Sequence, residues 1–162
     1  LAKKKDNQGT ETVAENRKAR FDYAIEETLE CGIMLQGSEV RSVRDKEVSI
    51  QEGYVSAREE PLSLTLHNVN IGELAHAAHN TGHKPKRTRA LLAHKKEIIK
   101  LARKMAIKGY TIVPLSLYFK NGYAKVLVGI GKGKTRNDKR DTISQREAKR
   151  DIDRALSKRR NT

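Results

Sequence analysis

Alternation begins at Phe21: Phe21, Tyr23 and Ile25 fall on one face, with Asp22 and Glu26 on the other. A period of two predicts a half-buried strand that continues through Leu29 towards Ile33 and Leu35, and Gly37 ends it. In "SEVRSVR" the period changes. Val40 and Val43 lie three apart, Ser38 is placed to cap and Glu39 to sit in the first turn, so a short helix is expected with Arg41 and Arg44 on its open face. "VSIQEGYVSAR" and "LSLTLHNVNI" read as two strands around the turn "EEP". Leu62, Leu64 and Leu66 share a face that Val69 and Ile71 then leave, which predicts a bulge or sharp bend.

"HAAHNTGHKPKRTR" has no period and reads as a loop. A helix is expected after it, with Leu91, Ile98, Ala102 and Met105 on one stripe, Leu92 and Ile99 beside them, and Gly109 as C-cap. Two strands close the apolar part, inward sets Leu115, Leu117, Phe119 and Ala124, Val126, Val128, Ile130, joined by the hairpin pair Asn121-Gly122. About six short strands and one long helix fit a mainly β fold with helices, a small closed or partly open Greek-key β-barrel, with an open α+β sandwich as the alternative.

Composition names the kind of partner. The 162 residues carry a formal net charge of +14, far more than solubility requires, which points to a polyanion, nucleic acid before a membrane surface. No run approaches a spanning helix, and "LAKKKDNQGTETVAEN" has no apolar core for a signal peptide. The start at Leu1 rather than Met fits a trimmed or processed N-terminus. One cysteine, Cys31, makes no internal disulfide, suits a reducing cytoplasm, and reads as a small buried hydrophobe rather than a nucleophile.

Charge also divides the chain. From Gly131 onward twelve Lys/Arg stand against five Asp/Glu, a net +7. Residues 1–15 are polar and expected to be a disordered arm, 16–131 the barrel, and 132–162 a basic tail. In that tail Ala148, Ile152, Ala155 and Leu156 share a thin face, so a helix is expected to form only against a partner. "GKGKTRNDKRDT" ends like a phosphate-binding loop, but the glycine that should open it is Val128 and the following segment is polar; a strand ending in a Gly/Lys hinge is the better reading.

Candidate chemistry is sparse. His76, His79 and His83 suggest a metal, yet structural zinc usually has sulfur among its ligands and this loop has none, so it reads as a basic, RNA-facing loop and no metal or other cofactor is expected. The adjacent pairs Glu26-Glu27 and Glu59-Glu60 point to opposite strand faces and cannot share a proton. No convergent catalytic set emerges, so an enzyme is not expected. "KPKRTR" is the stronger signal: Lys84, Lys86, Arg87 and Arg89 lead towards the long helix, whose N–H groups would face the same phosphate. Scarce aromatics favour recognition of a folded RNA by shape and backbone.

Several stretches are similar to the SmpB family, the small basic proteins that partner transfer-messenger RNA in bacterial trans-translation. They are "NRKARFDY", "IEETLECGIMLQGSEVRSVR", "RTRALLAHKKEI", "GYTIVPLSLYFKNGYAKVLVGIGKGK" and "DKR", in order along nearly the whole chain. The resemblance implies an oligonucleotide-binding (OB-like) barrel that binds the tRNA-like domain of that RNA and is delivered with the elongation factor EF-Tu to stalled ribosomes. It implies RNA contacts at Glu30, Leu92 and His94, and tail contacts at Gly133, Asp138, Lys139 and Arg140. With Lys132, Lys134, Arg146, Lys149 and Arg150, the tail is expected to lie in the empty messenger channel and meet the ribosomal RNA of the decoding centre. Asn137 and Phe21 depart from the family's usual Tyr or His and His, and Thr135, Ser144 and Gln145 replace common bases. A ribosome-associated structural RNA-binding protein is the alternative.

Overall fold

The computed structural model describes residues 9–73 and 82–160. Its elements are β1 (Thr10–Glu15), α1 (Arg17–Asp22), β2 (Tyr23–Ile33), α2 (Gly37–Arg44), β3 (Val48–Ser49), β4 (Tyr54–Arg58), β5 (Ser63–His67), β6 (Asn70–Ile71), β7 (Arg89–Leu92), α3 (Lys95–Met105), β8 (Tyr110–Lys120), β9 (Tyr123–Gly133) and α4 (Arg136–Arg160). The antiparallel order β8-β4-β5-β7-β2-β9 returns to β8, so six strands close a ring, and β1 adds to the edge of β8. The closures are thin: β4 meets β8 through Val55 and Ile112, and β2 meets β7 through two residue pairs. Closure removes exposed sheet edges that would template aggregation.

Inside the ring, Leu64, Leu66, Ile112, Leu117, Val126, Val128 and Ile130 pack with Val43 of α2 and with Ile98 and Leu101 of α3. The two helices thus cover the core where strands cannot. Leu117 and Phe119 of β8 and Ala124, Val126, Val128 and Ile130 of β9 face inward as read from the sequence, but Leu115 does not: the bulge between Pro114 and Ser116 turns it outward, where it packs with Val113 against Ala19 of α1. Asn121 and Gly122 join them at φ +51° and +80°, the left-handed pair that a two-residue hairpin turn needs. The expected bend after Leu66 is present: Asn68 takes φ +56°, and β6 leaves the sheet to pair with β3.

Several expectations need correction. Phe21 lies in a helix, because Asn16 is buried, accepts from the N–H of Ala19 at 2.9 Å and donates to the carbonyls of Ile50 and Pro114; the strand starts only at Tyr23. Part of the expected disordered arm is strand: Thr10–Glu15 pairs with β8 through backbone hydrogen bonds that need no hydrophobic period, while Val13 and Ala14 pack on the core. Residues 1–8 lie outside the described residues. Leu91 and Leu92 belong to β7, not to the long helix, which runs from Lys95 to Met105 with Ala106 as its C-cap; Gly109, at φ +91°, sits in the turn beyond. Gln36, not Ser38, caps α2, its N–H donating to Glu39 at 2.8 Å. A bulge at Glu26 brings both carboxylates of the Glu26-Glu27 pair to Lys104, at 3.6 and 2.6 Å, so they are not on opposite faces. Lys132 and Gly133 pair with Ala24 and Tyr23 inside the sheet, so the tail begins after them.

Candidate nucleic-acid interface

Strand register assembles the first part of the site. Gly32 of β2 lies opposite Leu92 of β7. Side chains alternate along strands, so Glu30 and Leu92 face outward with Cys31 and Leu91 turned inward, and His94, two residues past the end of β7, is exposed at the cap of α3. Cys31 is buried and its thiol is pushed up to about 11, chiefly by that burial. A Cβ at position 32 would meet the Leu92 Cβ at 3.2 Å, so the glycine lets Leu92 lie close over the strand while 56% exposed.

The row continues sideways. Gly32 is opposite Lys125, and Lys125 opposite Tyr118. Glu30 accepts a short hydrogen bond from the Tyr118 hydroxyl and two at 3.3 Å from Lys120. The Tyr118 bond is the largest influence on the Glu30 carboxyl; burial, next, pushes the other way, and the Lys120 contacts help keep the group below its ordinary range. Burial and the Glu30 contact raise the Tyr118 phenol. Glu30 and Leu92 thus share the outer face of the β2/β7 wall, flanked by Lys120 and Lys125, with exposed His94 just beyond Leu92 at the start of α3. A fixed carboxylate accepts from a base amino group, lysines attract phosphate, and an exposed leucine meets a base or ribose face.

The second group of candidates is split by burial. Arg89 is only 1% exposed. Its Nε donates to Glu39 at 2.8 Å, and its Nη atoms donate to the carbonyls of Val69, Arg87 and Pro85 at 2.8, 3.0 and 2.9 Å. It therefore cannot contact RNA; its guanidinium organises the loop from within. Arg87 is mostly committed to the same carboxylate. His83 is buried too, held between the Ser38 hydroxyl at 2.9 Å and the Ile71 carbonyl at 3.1 Å, which gives it a structural role. His76 and His79 lie outside the described residues. What the pinned loop presents is Lys84 and Lys86, both exposed. Arg41 and Arg44 are exposed on α2, Arg44 with its guanidinium 5.0 Å from the Phe119 ring centre. The loop runs into β7 rather than the N-terminus of α3, where the N–H of His94 is taken by Glu97 at 2.9 Å. The shared phosphate expected there does not follow.

The tail leaves from a built corner. The N–H of Lys134 donates to the Asp22 carbonyl, and Lys139 Nζ reaches Asp22 Oδ1, both at 2.8 Å. Lys139 and Arg146 lie 5.8 and 5.5 Å from the Phe21 ring centre. The Thr135 N–H and hydroxyl donate to Asp138 at 2.9 and 2.7 Å, while the Asp138 N–H donates back to that hydroxyl at 3.3 Å. Thr135 and Asp138 are thus a reciprocal helix cap, which holds the Asp138 carboxyl below its usual range. The T-x-x-D spacing signals this cap, and the sequence reading missed it. The N–H groups at this strand end are occupied, as a hinge requires and a phosphate loop forbids. Lys132 lies over Tyr110, its Nζ 4.8 Å from the ring centre. Beyond the corner Arg140, Lys149 and Arg150 are exposed.

Comparison with known proteins decides the family. The SmpB protein family model matches residues 13–158. The chain belongs to the SmpB family. SsrA-binding protein of Listeria welshimeri is 50% identical over 147 residues, covering 91% of this chain and 94% of the relative. That of an Exiguobacterium species is 47% identical over 156 residues, covering 96% of each. A solved chain from "tmRNA-SmpB: a journey to the center of the bacterial ribosome" is 40% identical at a TM-score of 0.63, covering 80% of this chain and 93% of that one.

Proposed function

We propose that this SmpB-family chain binds the tRNA-like domain of transfer-messenger RNA and carries it, with EF-Tu, to stalled ribosomes in the bacterial cytoplasm for trans-translation. The observation that carries this reading is the outward face of Glu30 and Leu92 beside Lys120 and Lys125, with His94 exposed just past Leu92, on a chain whose close relatives are named SsrA-binding proteins. The barrel wall grips folded RNA through base edges and phosphates. Lys84, Lys86, Arg41 and Arg44 extend the cationic surface around α2.

The tail is the probe. α4 spans 25 residues, roughly 37 Å at 1.5 Å per residue. Ile143, Ile152 and Leu156 are 44%, 59% and 55% exposed on it. A helix with so little buried is marginal alone, so the channel left empty by a missing message supplies the surface on which it becomes ordered. Message and tail compete for that channel.

Two variants test the reading. Removing 136–162, a cut placed beyond the paired Gly133, leaves gel-shift affinity for transfer-messenger RNA intact and abolishes peptide tagging on stalled ribosomes; unchanged tagging rules the tail role out. Leu92→Asp, with an unaltered melting curve, weakens that RNA relative to ordinary tRNA competitor; equal binding of parent and variant removes the patch from the interface.

A further inference from the structure

β9 runs between β2 and β8, with Glu30 of β2 opposite its Leu127 and Tyr118 of β8 opposite its Lys125. Glu30 and Tyr118 therefore sit on the same outer face, two strands apart. Strand spacing makes that roughly 10 Å between backbones, a gap that the half-buried phenol closes by lying across β9. Its hydroxyl has one proton to give, and Glu30 Oε2 accepts it.

Glu30 is held differently from Glu27 on the same strand. Glu27 gives one oxygen to Lys100 and the other to Lys104, both at 2.6 Å, so its charge is answered on both sides. At Glu30 the closest donor is neutral. Oε2 accepts from Tyr118 and Lys120, whereas Oε1 accepts from Lys120 alone, at 3.3 Å. A carboxylate oxygen has two lone pairs, so Oε1 keeps one open. The Glu30 side chain is 37% exposed, and exposed Leu92 lies on the neighbouring strand, so the open position faces the surface that meets RNA. A glutamate left free to rotate would give up that freedom on binding; this one has given it up already.

We propose that Tyr118 is a positioning residue of the RNA site, whose hydroxyl fixes Glu30 so that Oε1 accepts an N–H from a base of the tRNA-like domain. The proposal deepens the RNA-binding reading above and rests on it. A negative acceptor among lysines repels phosphate and favours only a base edge that carries a donor, so it adds discrimination rather than bulk affinity. A lysine in place of the phenol would hold the carboxylate too, but it would also neutralise the group and draw phosphate to it. Tyr118 does the first without the second.

A double-mutant cycle on the full chain tests this, with the tRNA-like domain as ligand and ordinary tRNA as competitor. Tyr118→Phe keeps the ring and removes the hydroxyl. It should bind the tRNA-like domain roughly 2- to 13-fold more weakly, the worth of one hydrogen bond, with affinity for ordinary tRNA and the salt slope unchanged. In a Glu30→Ala background the same change should add no further loss. A hydroxyl that touched RNA itself, or one that served only the fold, would cost as much in either background. Additive losses therefore overturn the proposal, as does a Tyr118→Phe chain that binds like the parent. The parent alone supplies a check that needs no variant to fold. With the Tyr118 bond in place, and Lys120 of β8 and Lys125 of β9 as the other charged groups acting on it, the Glu30 carboxyl carbon should titrate by NMR below the ordinary glutamate range. Titration in the ordinary range overturns the proposal. A parent with no preference for the tRNA-like domain over ordinary tRNA defeats the RNA-binding reading and this proposal with it, whereas preference with additive losses defeats the proposal alone.

Discussion

Arg89 meets Glu39 at 2.8 Å with neither side chain exposed, tying β7 to the first turn of α2 across 50 residues of sequence. Glu39→Ala leaves the buried guanidinium without its counter-charge, an uncompensated burial that costs about 3–5 kcal/mol. Urea unfolding followed by circular dichroism should show the lower midpoint with an unchanged slope.

The same carboxylate sets an acid limit. Burial pushes Glu39 up, but Arg87, the Gln36 N–H and Arg89 outweigh it and hold it below its ordinary 4.5. Glu27 is held at about 2, first by its hydrogen bonds to Lys100 and Lys104. Both folded values lie below the unfolded ones, so their stabilisation is complete above about pH 4.5 and is lost as pH falls through the folded values. The difference in urea midpoint between parent and Glu39→Gln should be largest at neutral pH and shrink towards pH 3.

Lys84 and Lys86 stand exposed on a loop pinned by buried groups. Changing both to Ala should leave the melting curve alone and flatten the salt dependence of RNA binding by up to about two phosphate contacts, roughly 0.7–0.9 in log–log slope for each. Arg89→Met should do the reverse, lowering stability while the folded fraction keeps the parent's salt slope.

The corner at Asp22 is a further test. Thr135→Ala removes the N-cap hydroxyl of the reciprocal cap with Asp138, a loss worth about 1 kcal/mol to the helix. Amide exchange in the first turns of α4 should quicken, and Asp22→Asn should quicken it again by releasing Lys139. Exchange within β9 stays slow in both variants.

Gly131 lies where the bulge of β2 crowds β9: a Cβ there would fall 2.0 Å from the Ala24 carbonyl oxygen. Gly131→Ala must shift backbone, and overpacking of this kind costs about 1–3 kcal/mol or more. Thermal melting checks it.

Much of this was legible because it is periodic. The hairpin from Tyr110 to Gly133 follows from alternation and the Asn121-Gly122 pair, and the break after Leu66 from a slip in that alternation. The misread elements lack such a signal. The edge strand Thr10–Glu15 is held mainly by backbone hydrogen bonds, and α1 by a buried asparagine whose partners are up to 98 residues away. For the site, resemblance supplied Glu30, Leu92 and His94, and strand register explains why Leu92 lies over β2 two residues from Glu30. Composition marked Arg89 as a surface cation because nothing local shows that Glu39 and three carbonyls enclose it.

β9 joins both working ends of the molecule without interruption, from Lys125 beside the Leu92 patch to Gly133 at the corner of Asp22. Eight residue steps at about 3.3 Å make that interval roughly 26 Å. It is a ruler: with β2 and β8 bonded along its two sides, its length is set by a count of peptides and not by a flexible joint. Adding or deleting a pair of residues would move the tail's point of departure by about 7 Å relative to the gripped RNA, and a single residue would turn its outward side chains into the core.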